Sequence, residues 1–286
     1  MAPVLEGIPI IDTHVHLWDV QRLDYPWLND VPAIRKTFLI EDFQNASENF
    51  AINKMVFVQC ECLPEQCLLE LEFVMEQARK DERIQGIVAY APMEQGSNVT
   101  NLLDTYKQNP MIKGVRRMYD DNPKLCTSDS FLEAVHLLPK YNLSFDISIL
   151  PSSAPTTISM VKSCPGTLFV LDHLGKPGIR NKAFDEFCHN IDQLASCPNV
   201  VAKLSGLITE ANWNQWSVDV IRPYVEYTVH AFGYQRLMFG GDWPVVLLAG
   251  NYVQWLTSLV ETLSFANKHE LMQVFYENAQ QFYKLK

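Results

Sequence analysis

Basic residues are in the minority in this chain of 286 residues, where 23 Lys and Arg stand against 33 Asp and Glu, a formal net charge of −10. Nucleic acids attract proteins through basic patches, so this balance argues against a nucleic-acid partner. No run approaches the ~20 apolar residues that span a bilayer. Met1–Pro9 has neither a basic residue nor the long apolar run of a secretory signal. We therefore expect no membrane partner and a cytoplasmic location.

A paired set of cysteines is also missing. The seven cysteines are an odd number, and without a secretion signal they are expected to be reduced and mostly buried. Cys60, Cys62 and Cys67 lie close together, but no second pair follows at the spacing of a zinc knuckle. The sequence therefore favours structural thiols over a cysteine-bound zinc ion.

Glycine-rich and low-complexity segments are absent as well, and short apolar runs alternate with longer amphipathic ones. Runs bounded by polar residues, Gly or Pro are typical of buried parallel strands. Eight are predicted: Pro9–His14, Lys54–Glu61, Ile84–Pro92, Ile112–Met118, Leu143–Leu150, Leu168–His173, Val200–Ser205 and Leu237–Asp242. Apolar residues at steps of three and four predict helices in five of the intervening segments: Gln66–Lys80, Asp129–Tyr141, Lys182–Ala195, Val218–Phe232 and about His269–Tyr283.

Eight strands alternating with helices predict a single α/β domain over residues 1–286, a (β/α)₈ barrel of the TIM type. The segment from Trp18 to Phe38 is too long and aromatic for a minimal connection, so it is interpreted as an insertion after strand 1 that covers the active site. An open doubly wound sheet is the competing architecture. No glycine-rich phosphate loop follows strand 1, which weakens it.

Four polar residues mark the ends of predicted strands. His14 and His16 alternate along strand 1 and so share a face, from which two imidazoles can bind one metal ion or polarise one carbonyl. Asp242 follows a Gly-Gly pair at the end of strand 8, where a carboxylate suits a general base, although such residues also cap turns. His173 ends strand 6. Active sites of this fold lie at these strand ends, so we predict that the four residues are catalytic.

Further polar residues near the strand ends are weaker candidates for binding a substrate. Gln59 and Glu61 share a face at the end of strand 2, and Lys176 lies in the loop beyond strand 6. Arg116 or the adjacent Arg117 can anchor a carbonyl or an anion in a bidentate manner. Asp146 is an acidic residue in an apolar strand, which indicates an inward polar role or a salt bridge. Aromatic residues complete the candidates, as rings able to stack on a sugar: Trp18, Tyr25, Trp27 and Trp243.

Six short segments spread along the whole chain form a recognisable set of motifs: Ile11–Asp19, Val58–Gln59, Gly114–Arg116, Asp172–Pro177, Lys203–Leu207 and Met238–Pro244. Together they resemble the amidohydrolase superfamily, and in particular its sugar lactonases of the L-fuconolactonase and L-rhamnonolactonase type, with 2-pyrone-4,6-dicarboxylate lactonase as a cousin.

The resemblance implies a distorted barrel that hydrolyses a cyclic ester, with Asp242 as the general base and the three histidines around the carbonyl. It also implies one divalent ion, zinc first, on His14, His16 and Asp242, or chemistry without a metal. No strand-4 lysine is positioned to bridge two metals, since Lys113 precedes the strand end.

The first hypothesis is therefore hydrolysis of an L-fucono-type or related aldonolactone to the free acid, by water that Asp242 activates. A dicarboxylate lactone hydrolase or a metal-dependent decarboxylase is the second. Either would need a cluster of inward arginines, and Arg116, Arg117, Arg22 and Arg180 are few. A non-catalytic sugar-binding barrel is the third. The sequence leaves homo-oligomer formation open.

Overall fold

A computed structural model describes residues 5–286. Met1–Val4 lie outside the described residues, although they belong to the predicted domain and to the N-terminal segment that is expected to carry no secretory signal. Eight parallel strands follow one another in a single sheet of order β1 to β8. Their bounds are Ile10–Val15, Ile52–Val58, Ile84–Tyr90, Ile112–Arg116, Ser144–Ile147, Phe169–Leu171, Val200–Leu204 and Leu237–Phe239. The predicted (β/α)₈ barrel is confirmed.

The first and last strands close the barrel through a few contacts rather than a full ladder. Val15 forms a parallel bridge with Trp243, and the Thr13 hydroxyl donates to the Phe239 carbonyl at 2.6 Å. The seam between β1 and β8 is therefore irregular, as expected of a distorted barrel. A doubly wound open sheet would leave these edges apart.

Helices surround the sheet, and their apolar faces pack on it because amphipathic periodicity gives each helix one buried side. The α-helices α1 to α11 are Ile40–Ser47, Cys67–Lys80, Thr100–Lys107, Asp129–Tyr141, Ala154–Ser163, Phe184–Ala195, Leu207–Glu210, Val218–Phe232, Tyr252–Thr262, Lys268–Met272 and Asn278–Phe282. A π-helical turn, Gln273–Glu277, joins the last two. Within residues 5–286, no helix combines the length and the apolar character that crossing a membrane requires.

The interior of the barrel is filled at one end by the last residues of the chain. Tyr283 and Leu285 are buried in an apolar cluster with strand residues that include Ile11, Val88 and Met238. Above this cluster, the interior becomes polar and charged. The C-terminal segment thus forms the floor on which the polar layer rests.

The predicted insertion lies between β1 and α1. Its ends meet in an antiparallel bridge between Trp18 and Phe38, and two 3₁₀ turns, Pro26–Asp30 and Pro32–Ile34, lie within it. The segment packs beside the loops that follow β2, where the Leu63 amide donates to the Asp24 carbonyl at 3.0 Å.

Candidate active site

Four predicted residues lie at the carboxyl-terminal face of the barrel. His14 is in β1 and His16 follows it, while His173 and Asp242 come shortly after β6 and β8. His173 and Asp242 have left-handed backbone torsions, φ 54° and 53°. Such torsions are uncommon outside glycine and cluster at functional sites, where surrounding contacts hold them.

The three imidazoles converge on one carboxylate oxygen. Asp242 Oδ1 lies 3.8 Å from His14 Nε2, 3.7 Å from His16 Nε2 and 3.9 Å from His173 Nε2. The Nε2 atoms of His14 and His16 are 3.1 Å apart. All four side chains are buried. They therefore surround one small volume at the mouth of the barrel, which we call the centre.

Two of the imidazoles are held through Nδ1, which leaves Nε2 facing the centre. His16 Nδ1 lies 2.7 Å from the Val58 carbonyl oxygen, which can only accept, so Nδ1 carries the hydrogen and Nε2 is bare. His173 Nδ1 lies 2.9 Å from the Ser205 hydroxyl. Anchoring one ring nitrogen in this way orients a histidine for ligation or catalysis.

Asp12 ties the backbones of β1 and the loop after β8 together. Its carboxylate accepts from the amides of Gly241 at 2.8 Å and His14 at 3.0 Å, and from the Tyr252 hydroxyl at 2.9 Å. Burial raises the pKa of Asp12 to about 6 against these donors. The Asp242 amide also donates to the His14 carbonyl at 2.8 Å. The relative position of His14 and Asp242 is thus fixed by backbone hydrogen bonds.

A buried row of charges lies beneath the histidines. Lys203 Nζ is 2.7 Å from Asp146 Oδ2 and 3.0 Å from Asp172 Oδ1, and Arg116 donates to Asp172 Oδ2 at 3.2 Å. Burial raises the pKa of Asp146 to about 6. Although burial opposes it, the charge of Lys203 holds the pKa of Asp172 well below its usual range. Two cations and two carboxylates therefore alternate inside the barrel, and each buried charge has a partner.

Burial also sets the ionisation of the central groups. It lowers the pKa of His14 and His16 well below the ordinary value and that of His173 to about 3. Burial raises the pKa of Asp242 well above its ordinary value, while the charge of Arg116 acts in the opposite direction. The imidazoles are therefore neutral near pH 7, the form that binds metals.

The donor set fits one divalent cation. Donor atoms of His14, His16 and Asp242 lie within 4.8 Å of one another, and His14, Asp172 and His173 form an overlapping group. Two imidazoles and a carboxylate are ligands that zinc accepts. Asp172 Oδ1 lies 3.2 Å from His14 Nδ1 as well as 3.0 Å from Lys203 Nζ, so it can accept the Nδ1 hydrogen that His14 carries when its Nε2 is a ligand. Lys113 points elsewhere, donating to the Lys284 carbonyl.

The predicted substrate-binding residues divide into two groups. Arg116 reaches the centre, with NH1 3.5 Å from His14 Nε2, and its other amino group donates to the Gln59 carbonyl. Gln59 is itself buried and bonded to Glu61, which is partly exposed. Lys176, also partly exposed, lies 3.8 Å from Asp120. Glu61 and Lys176 thus stand at the rim, and Gln59 supports its neighbours.

Trp243 lies in the hydrophobic core instead of on a surface that a substrate could reach. It is 1% exposed. Its ring packs edge-on against Phe38 and Phe43, with ring centres 5.2 and 5.5 Å apart. The expectation that Trp243 stacks on a sugar is therefore corrected, because neighbouring side chains already cover the indole.

Two aromatic residues of the insertion are buried in the same way. Trp18 and Tyr25 are 0% and 6% exposed, and Trp18 packs edge-on against Trp27. Trp27 is partly exposed, and its Nε1 donates to the Cys60 carbonyl at 2.8 Å. Of the four aromatic candidates, Trp27 keeps an accessible surface.

Outside the centre, other predictions are confirmed. The seven cysteines are free thiols, five of them buried. The remaining four histidines are exposed, as expected of helix surfaces: His136, His189, His230 and His269. Asp146 forms the expected salt bridge.

Sequence reasoning missed three residues that hold the centre in place, namely Asp12, Asp172 and Lys203. A signal for Lys203 was present, since a lysine inside the apolar run Val200–Ser205 is as unusual as Asp146 in strand 5. Asp12 and Asp172 each precede a catalytic candidate closely, but nothing local reveals which groups they contact.

Comparisons with known proteins agree with this geometry. The family model described as amidohydrolase matches residues 11–285. The Sinorhizobium fredii protein y4mH is 30% identical over 98% of this chain and all of that protein. An L-fucono-1,5-lactonase of Burkholderia ambifaria is 28% identical over 96% of this chain and 95% of the lactonase. The crystal structure of a Burkholderia multivorans amidohydrolase with bound Zn superposes with a TM-score of 0.88 at 25% identity, over 97% of this chain and all of that one. The chain therefore belongs to the amidohydrolase family.

Proposed function

We propose that this protein hydrolyses a sugar-derived lactone, of the L-fucono-lactone type or a related aldonolactone, to the free sugar acid. The observation that carries the proposal is the convergence of three imidazole Nε2 atoms, 3.7 to 3.9 Å from Asp242 Oδ1, at the mouth of the barrel. The similarity to an L-fucono-1,5-lactonase over nearly the full length supports this substrate class.

Asp242 is the residue best placed to take a proton from water. Its carboxylate has no Lys or Arg within salt-bridge distance among the described residues. Burial is the largest cause of its raised pKa, and the charge of Asp172 adds to it, while the charges of Arg116 and Lys176 act in the opposite direction from further away. A carboxylate whose pKa is raised by burial is a stronger base, and this suits proton abstraction near neutral pH.

Hydrolysis also requires stabilisation of the negative charge that develops on the carbonyl oxygen of the lactone. Arg116 lies beside His14 Nε2, and its own Nε has no hydrogen-bond partner among the described residues. Fixed donors in a site shielded from water stabilise such charge without reorganisation. Arg116 and a histidine Nε2–H are the donors available here.

A divalent cation, zinc first, would be held by His14, His16 and Asp242, and it would act as a Lewis acid toward water or the carbonyl oxygen. The zinc in the Burkholderia multivorans amidohydrolase supports this assignment. The protein residues orient the substrate and hold the proton at Asp242.

The charges near the mouth favour an uncharged polyhydroxylated substrate over a dicarboxylate. Each of three cations already has a carboxylate partner: Arg116 with Asp172 at 3.2 Å, Arg117 with Glu94 at 3.0 Å and Lys176 with Asp120 at 3.8 Å. A dicarboxylate would have to compete with these partners. Sugar hydroxyls, in contrast, can donate to the carboxylates and accept from the cations.

The test is turnover of a panel of aldonolactones, followed by acid release with a pH indicator. Asp242→Asn keeps the shape but removes the proton acceptor, so kcat should fall by about 10²–10⁴-fold. Asp121→Asn, at an exposed turn, is the matched control and should leave kcat unchanged. The substrate assignment is wrong if no lactone is turned over faster than in buffer, and the base assignment is wrong if Asp242→Asn stays within about tenfold of wild type.

A further inference from the structure

Lys203 is charged and fully buried, and the chemistry proposed above does not use it. Its Nζ contacts Asp146 and Asp172, and it also lies 3.4 Å from His14 Nδ1 with the geometry of a hydrogen bond. The ammonium is therefore next to the ring nitrogen of His14 that faces away from Asp242.

His14 Nδ1 faces two partners of opposite kind. Lys203 is a donor at 3.4 Å, and Asp172 Oδ1 is an acceptor at 3.2 Å. A neutral imidazole has one hydrogen. If Nδ1 is bare, it accepts from Lys203 and the hydrogen is on Nε2. If Nδ1 carries the hydrogen, it donates to Asp172 Oδ1, whose other close contact is the ion pair with Lys203 Nζ at 3.0 Å.

The neighbouring histidine indicates which form the metal-free protein prefers. Because His16 Nδ1 donates to the Val58 carbonyl, its bare Nε2 faces His14 Nε2 at 3.1 Å. Arg116 NH1 favours a bare His14 Nε2, but it lies further away, at 3.5 Å, and already donates to Asp172 Oδ2 at 3.2 Å. Because two bare nitrogens at 3.1 Å would repel each other, His14 Nε2 should carry the hydrogen and donate it. Hydrogen bonds then run in one direction, from Lys203 through His14 and His16 to Val58.

We propose that Lys203 and Asp172 are positioning residues that give His14 two stable tautomers. With Lys203 as partner, His14 presents an Nε2–H donor to the centre. With Asp172 as partner, it presents a bare Nε2, as a zinc ligand must. The imidazole hydrogen moves from Nε2 to Nδ1, so His14 releases no net proton when it becomes a ligand. The zinc part of this inference rests on the proposed function, whereas the metal-free part requires neither zinc nor a lactone.

The experiment is nitrogen-15 NMR of histidine-labelled protein, in which the two ring nitrogens report the tautomer. The His14 signals are identified by their loss in His14→Asn. In the metal-free wild type, His14 should be the Nε2–H tautomer, and titration with Zn²⁺ should convert it to Nδ1–H. An Nδ1–H signal without zinc would overturn the proposal, and this measurement is made on the wild-type protein, with His14→Asn used only to assign the signals.

The variant Lys203→Met/Asp146→Asn removes one positive and one negative buried charge together, so it leaves no buried charge unpaired. Metal-free His14 should shift toward Nδ1–H, because the Lys203 donor is gone, the Asp172 acceptor remains at 3.2 Å and Arg116 NH1, 3.5 Å away, can donate to the bare Nε2. Zinc should bind about tenfold more tightly, since no tautomer change opposes it and the net buried charge is unchanged.

Lys113→Met is the matched control, because Lys113 is a strand lysine that contacts Lys284 instead of the charged row. It should change neither the tautomer nor the zinc dissociation constant. A structural role for Lys203 predicts the wild-type tautomer and a zinc dissociation constant within about threefold of wild type in the folded double variant, and either result would refute the proposal. Failure of every lactone leaves the tautomer measurement intact, so the two proposals fail separately.

Discussion

Gly206 provides a way to displace His173 without changing a chemical group in the centre. Gly206 has a φ of 66°, and a Cβ built on it would lie 2.5 Å from His173 Nδ1 and 2.8 Å from its Cγ. Contacts of 3.4–4 Å are ordinary for a Cβ. Gly206→Ala must therefore push the imidazole aside, and with it the Nε2 that faces Asp242.

The size of the effect follows from that distance. The ring must move by about 1 Å, and a misplacement of about 1 Å in a catalytic site costs about 10²-fold in rate. Alanine at a left-handed position also costs about 1 kcal/mol of folding free energy. We expect Gly206→Ala to be folded, with a kcat about 10²-fold below wild type on the best lactone.

Gly7→Ala separates the two contributions. Gly7 has a similar φ of 75°, but its Cβ would meet one atom within 4 Å, Lys268 Nζ at 3.7 Å. This variant should lose about 1 kcal/mol in urea unfolding and keep the kcat of wild type. If Gly206→Ala keeps a kcat within threefold of Gly7→Ala, the argument that Gly206 makes room for His173 is refuted.

Three other measurements follow from the structure. Burial raises the pKa of Glu70 from 4.5 to about 7, so between these pH values the folded protein holds this proton while the unfolded chain loses it. The free energy of unfolding should therefore fall by up to about 3 kcal/mol as pH rises from 4.5 to 7. Urea unfolding of Glu70→Gln should lack this decline. An equal decline in the variant would assign it to other groups. Trp243→Ala should lose about 3–5 kcal/mol of unfolding free energy, because the ring is core, and a near-neutral value would contradict that placement. His16→Asn should lower the zinc content found by elemental analysis, and unchanged zinc would exclude His16 as a ligand.

The sequence predicted the order of elements well, but it placed several strand ends too late. The predicted strand Leu237–Asp242 ends at Phe239, and Leu168–His173 ends at Leu171. Apolar runs show which segments are buried, but tertiary contacts determine where the backbone leaves the sheet. At Gly241 this contact is the hydrogen bond from its amide to the carboxylate of Asp12, a residue more than 200 positions away.

The candidate centre was predictable where a polar residue followed a buried strand, which identified the three histidines and Asp242. The roles of Asp172 and Lys203 were not predictable, because their partners come from different strands across the barrel. Trp243 shows a different limit. A large aromatic side chain stabilises a core and a sugar complex by similar contacts, so its identity alone does not distinguish them.

The seam between β1 and β8 has a consequence during synthesis of the chain on the ribosome. His14 and His16 are made early and Asp242 late, since Asp12 and Gly241, which hydrogen-bond across the seam, are 229 residues apart. At a synthesis rate of about 5–20 residues per second, roughly 10–45 s separate the two. The floor beneath them, Tyr283 and Leu285, emerges later still. A nascent chain therefore contains His14 and His16 before the Asp242 carboxylate exists, and the polar site rests on its apolar floor only after the last residues are made.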